Sequence, residues 1–233
     1  MLVVLQQKVE SAQNLLENSQ SQEKTLSVYK LIMDGGIGGQ IIIAILVVLL
    51  IVALYIYFER YFTIRKATKT DSDFMNKIRD HVSHGKIESA KVLCAQVNSP
   101  ASRLVEKGIS RIGKPLEDIN TTIENAGRLE IYRLEKNVSV LATIAGAAPM
   151  LGFLGTVIGM IVAIHQIANA GGQLDIKMLS DGLYTAMTTT VAGLIVGIIA
   201  YIQYNHLVVK TDKVVYEMEA KSVEFLDLLN EPV

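Results

Sequence analysis

The chain has 233 residues, half of them hydrophobic and 19% charged, and its formal net charge at pH 7 is −1. Disordered chains have few apolar residues and a large net charge, so the composition excludes that class. It also argues against nucleic-acid binding, because the chain has no net positive charge. The single cysteine, Cys94, excludes an internal disulfide framework and a cysteine-based zinc site.

The N-terminal segment carries a short amphipathic pattern. Leu5, Val9, Ala12 and Leu16 lie three or four residues apart, which predicts a helix at a membrane surface within residues 1–34. A solvent-exposed helix that frays is the alternative. Glycines at positions 35, 36, 38 and 39 then predict a flexible connection to the next segment.

Three stretches contain no charged residue: 41–58, 138–164 and 182–205, of 18, 27 and 24 residues. Crossing a bilayer takes roughly 20 apolar residues, so each stretch is predicted to be a transmembrane helix. The first stretch starts too late and is too long for a cleaved signal peptide, and we expect it to be retained.

Shorter helices are predicted between the first two stretches. Breaks at Gly85, Pro100 and residues 113–115 separate helices at about 71–83, 87–97 and 101–112, the first capped by Asp71 or Ser72. We expect the next helix, from 116 to 136, to continue without a break into the second membrane helix. The tail, 207–229, is likewise predicted to continue the third.

The charges next to the apolar stretches predict the orientation. Residues 59–69 carry four basic residues and one acidic residue, whereas the first 40 residues carry three basic and four acidic. Basic flanks mark the cytoplasmic side. The prediction is an external N-terminal amphipathic helix (1–34), transmembrane helix 1 (35–60), a cytoplasmic helical domain (61–136), transmembrane helix 2 (137–166), an external loop (167–181), transmembrane helix 3 (182–206) and a cytoplasmic C-terminal helix (207–233). The fold class is therefore all-α, an integral membrane protein with long helices that extend into the cytoplasm.

Small residues in the second and third stretches predict close helix packing, because glycine lets helix backbones approach each other. The glycines concerned are Gly152, Gly155, Gly159, Gly193 and Gly197. Pro149 interrupts the second stretch, frees a backbone carbonyl and predicts a kink. A fixed kink is the simplest expectation, and a moving hinge is the alternative.

Six threonines lie in the same two stretches: Thr143, Thr156, Thr185, Thr188, Thr189 and Thr190. A hydroxyl can line a polar path through a membrane without the cost of a buried ion, and we assign this role first to Thr156 and Thr190. The alternative is a bond to the hydroxyl's own helix. No Asp, Glu, Lys or Arg lies in these stretches, so a proton path would need a carboxylate from a partner helix.

Other candidates carry less weight. His81 and His84 have a metal-binding spacing without a third ligand, His165 is expected at the membrane boundary, and Cys94 is expected to be a buried thiol. Salt bridges between cytoplasmic helices, or contacts to a partner, are predicted for Arg128, Glu130, Arg133, Glu135 and Lys136. No enzyme motif is found, and we expect no enzyme activity, cofactor or metal.

Two motifs resemble a known family. LATIAGAAPMLGFLGTVIGM at 141–160 and GLYTAMTTTVAGL at 182–194 are similar to the second and third membrane helices of the ExbB/TolQ/MotA proton-channel family, and Phe58-Glu59-Arg60 fits the exit from its first. The resemblance covers roughly residues 35–229. Three membrane helices rather than four favour the ExbB/TolQ branch over the flagellar MotA branch. Within that branch ExbB is the main expectation, and the sequence does not separate it from TolQ.

The resemblance implies a function. Members form a homopentamer around a dimer of single-span ExbD- or TolR-like partners. A membrane aspartate of the partner exchanges protons with threonines that line the pore. In this chain the resemblance assigns that role to Thr156 and Thr190, with Thr189 and Thr185 as further pore-lining positions. Thr185 stands where several ExbB-like proteins have a glutamate. The expected role is to power a TonB-like protein for outer-membrane import, and the expected location is the bacterial inner membrane. Lipid is an expected contact and nucleic acid is not. A TolQ-like role in envelope integrity, a non-conducting scaffold and a solute transporter remain alternatives.

Overall fold

The computed structural model describes residues 37–68, 73–169 and 176–230. The predicted amphipathic helix within 1–34 and the proposed caps Asp71 and Ser72 lie outside these residues. Within them the chain is all-helical, as predicted. The seven helices are α1 (Ile37–Ala67), α2 (Phe74–Ser83), α3 (Ile87–Val97), α4 (Pro100–Ile109), α5 (Leu116–Glu135), α6 (Val138–Asn169) and α7 (Ile176–Asn230).

Three of these helices are long and apolar enough to cross a membrane. The spans are Gly38–Ala67, Val138–Asn169 and Gly182–Asn230, with mean hydropathies of 3.3, 2.1 and 1.8 over their most apolar windows. They lie in α1, α6 and α7, which confirms the prediction of three transmembrane helices. The 55 residues of α7 correspond to about 80 Å of helix, well over twice the thickness of a hydrocarbon core. The tail therefore continues the third membrane helix, as predicted.

The short helices form a bundle, defined here as α2 to α5 with the C-terminal part of α7 packed against them. Phe74, Ile78, Leu104 and Ile109 are buried in its core together with Phe225 of α7. Burial of such side chains contributes roughly 1.5–3 kcal/mol each. This core attaches the end of α7 to helices that precede the second membrane helix in sequence.

Local chemistry explains the break between α3 and α4. Asn98 has a left-handed backbone with φ 46°, and Ser99 caps α4 by accepting a hydrogen bond from the Ser102 amide. Pro100 occupies the first turn, where no helical N–H is lost. The predicted break is confirmed here. α4 itself ends at Ile109, earlier than the predicted residue 112.

The prediction that one helix runs from 116 into the membrane is wrong. α5 ends at Glu135 and α6 begins at Val138. Lys136 has an extended backbone (ψ 128°) and Asn137 a left-handed one (φ 63°), a conformation that asparagine tolerates better than most residues. We call residues 136–137 the joint, because their non-helical backbone separates α5 from α6.

The segment assigned to the external loop is shorter than expected. α6 continues to Asn169 and α7 already begins at Ile176, so both helices extend into the range 167–181. Only residues 170–175 lie between the two helices, and they are outside the described part of the chain.

Candidate functional site

The membrane helices α6 and α7 approach each other closely. A Cβ added at Gly152 would be 2.8 Å from the Thr189 carbonyl oxygen and 3.2 Å from the Gly193 Cα, and one at Gly193 would be 2.6 Å from the Ala148 carbonyl oxygen. Real Cβ atoms essentially never come within 3.0 Å of such atoms, as two of these three would. The two backbones are therefore in direct contact at these glycines, as small residues permit.

The same contact continues along both helices. A Cβ at Gly159 would be 3.1 Å from the Ala186 Cβ, and one at Gly197 would be 2.7 Å from the Pro149 ring. All five glycines singled out from the sequence thus lie in the α6–α7 contact, together with Pro149. We call this contact the seam.

Thr189 is the central side chain of the seam. It is fully buried and faces Gly155, where an added Cβ would be 2.6 Å from the Thr189 Cβ. Its hydroxyl donates to the Ala186 carbonyl at 2.8 Å and lies 3.4 Å from the Gly152 carbonyl oxygen. Gly155 therefore provides the space that Thr189 occupies.

Thr190 and Thr156 flank this point and are half-buried. The Thr190 hydroxyl donates across the seam to the Gly152 carbonyl at 3.1 Å. The Thr156 hydroxyl donates within α6, to the Phe153 carbonyl at 2.6 Å. Thr156 lies one helical turn after Gly152 and so on the same side of α6. Of the two proposed proton-path threonines, Thr190 therefore bonds across the seam, whereas Thr156 bonds within its own helix.

The remaining threonines are placed differently. Thr143 donates to the Ser139 carbonyl and Thr188 to the Tyr184 carbonyl, at 3.1 and 2.9 Å. These are bonds to the preceding turn of their own helices, which is the ordinary arrangement for a membrane threonine. Thr185 lies in α7, with its side chain outside the described part of the structure.

Pro149 lies inside α6, which continues past it. A proline has no N–H, so the Ala145 carbonyl cannot receive the usual helical hydrogen bond from position 149. A Cβ at Gly197 would be 3.1 Å from that oxygen, so α7 passes close to the freed carbonyl. An apolar cavity of about 390 Å³ adjoins this place, lined in part by Ala142, Gly146, Leu194 and Tyr201.

The seam offers hydroxyl and carbonyl groups but no side chain that ionises. The stretches 138–164 and 182–205 contain no Asp, Glu, Lys, Arg or His. Threonine hydroxyls can both donate and accept hydrogen bonds, so they can pass a hydrogen bond along without holding a charge. A proton that crosses here needs an acceptor that this part of the chain does not carry.

The candidates given less weight lie away from the seam. His165 contacts Asn169 at 3.1 Å at the end of α6, and His84 Nδ1 lies 2.6 Å from the Asp80 carbonyl. No group of three metal-ligating side chains occurs among the described residues. Cys94 is buried, as expected, and burial, with a smaller contribution from Glu106, raises the pKa of its thiol to about 12.

Two side-chain clusters lie outside the seam, and the first of them was not expected from the sequence. Tyr57 of α1 contacts His206 Nδ1 of α7 at 2.8 Å, and Lys210 lies 4.6 Å from the centre of the Tyr61 ring. They join α1 to α7 near the end of the third apolar stretch. Tyr57 and His206 are 149 residues apart in the sequence, so no local spacing could have predicted that they pair.

The second cluster is ionic. Glu130 is buried between Arg103 and Arg133, with N–O distances of 2.5 and 2.7 Å, and Arg60 is buried beside Glu59. A salt bridge between neighbouring helices was predicted for Glu130 and Arg133, and Arg103 of α4 provides it. Arg128, Glu135 and Lys136, which were named with them, are exposed.

Three membrane-length helices and a seam of hydroxyls and carbonyls between two of them define an integral membrane protein with a polar contact inside its apolar region. The family model for the MotA/TolQ/ExbB proton channel family matches residues 96–220, more than half of the chain. The chain therefore belongs to the MotA/TolQ/ExbB proton channel family. The match includes all of α6 and the seam-forming part of α7.

Individual relatives carry two of the family's names. The chain is 26% identical over 226 residues to the Tol-Pal system protein TolQ of Haemophilus influenzae, covering 88% of this chain and 94% of the relative. It is 40% identical over 79 residues to the biopolymer transport protein ExbB of Helicobacter pylori (34% and 54%). It is 38% identical over 104 residues to the ExbB of Aquifex aeolicus (43% and 69%).

Proposed function

We propose that the chain is the proton-channel (stator) subunit of an inner-membrane motor that converts proton motive force into work on a TonB-type system for outer-membrane import. The observation that carries this proposal is the seam. It lies in the region that matches a proton channel family, and it places hydroxyls beside a carbonyl where no ionisable side chain is present.

The proton acceptor comes from a partner. We propose a single-span ExbD-like protein, present as a dimer, whose membrane aspartate faces Thr156 and Thr190. Ionisable groups inside a membrane are costly and usually mark an ion path. The free-energy cost of a carboxylate in the membrane falls when two hydroxyls lie beside it, because each hydroxyl can donate a hydrogen bond to it. Thr189 and Thr185 are the further positions proposed along this path.

The subunit surrounds that partner as a homopentamer. Large apolar side chains on the membrane helices are exposed in the single chain, Met150, Phe153 and Met187 among them, at 73%, 65% and 67%. Such surface is suited to lipid or to neighbouring membrane helices. We place the protein in the bacterial inner membrane with residues 61–136 and 207–233 in the cytoplasm and the N-terminus in the periplasm.

A TolQ-like role in envelope integrity is the second candidate. It is supported by the similarity to the TolQ of Haemophilus influenzae, which extends over 88% of this chain; a match of similar extent, 83% of this chain, carries the ExbB name. Complementation separates the two roles. A TonB-linked subunit restores import in cells lacking ExbB, and a TolQ-like subunit restores envelope integrity in cells lacking TolQ.

The channel itself is tested on the purified protein. We expect the native mass of the detergent-solubilised chain to be that of a pentamer, and to increase when a single-span, aspartate-bearing neighbour is co-expressed. A monomer that ignores such a neighbour would reject the channel proposal.

Proton flux through the reconstituted complex then tests the seam. Thr190→Val keeps the shape of the side chain and removes the hydroxyl, so we expect flux to fall about tenfold or more, whereas Thr190→Ser retains it. Thr188→Val is the matched control, because the Thr188 hydroxyl bonds to its own helix. Wild-type flux in Thr190→Val would reject the proposed role of its hydroxyl, and no flux in the wild type or in any variant would favour a non-conducting scaffold.

A further inference from the structure

The end of α5 is held by a side chain from α1. Arg60 Nη1 donates to the Arg133 carbonyl at 3.0 Å. This carbonyl lies in the last turn of α5, where carbonyls have no N–H partner in their own helix. A guanidinium there also interacts favourably with the partial negative charge of the helix end. Arg60 therefore caps α5 immediately before the joint at residues 136–137.

Arg60 is itself held in place. Its Nε and Nη2 atoms donate to the two carboxylate oxygens of Glu59 at 2.5 and 2.6 Å, and its side chain is only 8% exposed. A planar guanidinium can form this paired contact and still use a third nitrogen, which a lysine ammonium cannot do in the same geometry. The arrangement thus depends on arginine at this position.

The cap continues into an ionic network within the bundle. Arg133 also bonds through its side chain to Glu130, which lies opposite Arg103. Arg103 in turn donates to the carbonyl and side-chain oxygens of Asn98, at 3.1 and 3.0 Å. Asn98 is the residue with φ 46° between α3 and α4.

Asn98 and Asn137 are the two asparagines with left-handed backbones among the described residues. Arg103 bonds to Asn98, and Asn137 follows four residues after Arg133, whose carbonyl accepts from Arg60. The network connects α1, α5 and the α3–α4 break through arginine side chains. Arg60 and Glu130 are buried and Arg103 is partly buried, whereas Arg133 and Asn98 are exposed. Solvent and salt therefore screen the contacts among the buried groups less than they would at the surface.

We propose that Arg60 is a positioning residue that fixes the direction in which α6 leaves the bundle, and that this direction is required for proton-driven movement of the seam. The inference rests on the proposed function. Without the cap, the α5 end loses a donor, and residues 136–137 lose the constraint that keeps them out of a helical conformation. The angle between α5 and α6 then varies, and the seam threonines no longer hold one orientation towards the partner.

Arg60→Lys tests this role with the charge retained. Arg65→Lys is the matched control, because Arg65 lies on the same helix and is exposed. Two further variants act on the joint without touching the buried arginine. Asn137→Ala favours a continuous helix and should reproduce the effect of Arg60→Lys. Asn137→Gly accepts a positive φ without strain and should restore the joint in the Arg60→Lys protein.

The geometry is read as a distance between spin labels at Leu129→Cys in α5 and Ile161→Cys in α6, both exposed positions, in a Cys94→Ala background. Labelled chains are diluted into unlabelled ones so that each assembly carries one pair. For Arg60→Lys and Asn137→Ala we expect the distance distribution to shift or widen by about 5 Å, the rise of one helical turn. Arg65→Lys should give the wild-type distribution.

Proton flux is measured on the same variants, provided that their native mass equals that of the wild type. We expect about a tenfold loss for Arg60→Lys, within the range in which coupling between two sites usually falls, and recovery in the Arg60→Lys, Asn137→Gly double variant. An unchanged distance in Arg60→Lys, or a changed distance with wild-type flux, would overturn the proposal. If the wild-type complex conducts no protons, the proposed function is rejected, and the distances still decide whether Arg60 holds the joint.

Discussion

Two glycines of α6 provide a test of the seam. Gly152 and Gly146 lie in the same helix, and each can be changed to alanine. At Gly152 the new Cβ would be 2.8 Å from the Thr189 carbonyl oxygen, 3.1 Å from the Thr190 Cα and 3.2 Å from the Gly193 Cα. At Gly146 it would have no neighbour within 4 Å. The same chemical change thus meets a backbone in one case and open space in the other.

The two substitutions are expected to change the free energy of unfolding in opposite directions. All three atoms near Gly152 belong to the α7 backbone, so relief requires the helices to separate by roughly 0.5 Å or more. Overpacking of this kind usually costs about 1–3 kcal/mol, and separation also lengthens the 3.1 Å hydrogen bond from Thr190 to the Gly152 carbonyl. Gly146→Ala should be neutral or stabilising by up to about 1 kcal/mol, because alanine favours the helix.

Reversible unfolding in mixed micelles measures this difference. We expect Gly152→Ala to lower the free energy of unfolding relative to wild type and Gly146→Ala to leave it unchanged or raise it, with the native mass of both variants unchanged. Gly193→Ala, which would place its Cβ 2.6 Å from the Ala148 carbonyl oxygen, should behave like Gly152→Ala. Equal free energies for Gly152→Ala and Gly146→Ala would refute the tight seam.

Two further predictions concern the bundle. Burial raises the pKa of the Cys94 thiol from its usual value near 9 to about 12. As the pH rises, the thiol therefore loses its proton in the unfolded chain before it does so in the folded chain. The free energy of unfolding is unaffected below pH 9 and declines by about 1.4 kcal/mol per pH unit as the pH rises towards 12. Urea unfolding of wild type and Cys94→Ala at pH 8 and pH 10 checks this, and equal pH slopes would contradict it. Gly108→Ala would bring a Cβ to 2.5 Å from the Phe225 ring and should lower the free energy of unfolding by about 1–3 kcal/mol. Gly127→Ala would place its Cβ 3.6 Å from Leu104 and should be tolerated. Thermal denaturation of the two variants tests this, and similar melting temperatures would argue against close packing at Phe225.

Much of the fold was predictable because its signals are local. The three membrane helices follow from runs without charge, and the α3–α4 break follows from Ser99 and Pro100, which act within one turn. The break at residues 136–137 was not predictable in this way. Asn137 is only a weak helix breaker, and the cap that ends α5 comes from Arg60, 73 residues earlier in the chain.

The sequence predicted which residue types form the seam, but not how each helix is rotated about its own axis. Glycines and threonines in two apolar stretches indicate close packing and a polar contact, yet four threonines lie within six residues of α7. Which of them faces α6 depends on how the helix is rotated. Gly155 provides space for Thr189, and only the contact between the two helices reveals this pairing.

The uninterrupted length of α7 gives the molecule a lever arm. α6 meets the bundle through the joint, whereas α7 runs from the seam to Phe225 without a break. A stiff rod transmits tilt over its full length, and about 40 residues between Thr189 and the C-terminal end correspond to roughly 60 Å, so a tilt of about 5° moves that end by about 5 Å. A sub-ångström adjustment near the pivot can therefore become a displacement of several ångströms at the far end of the rod.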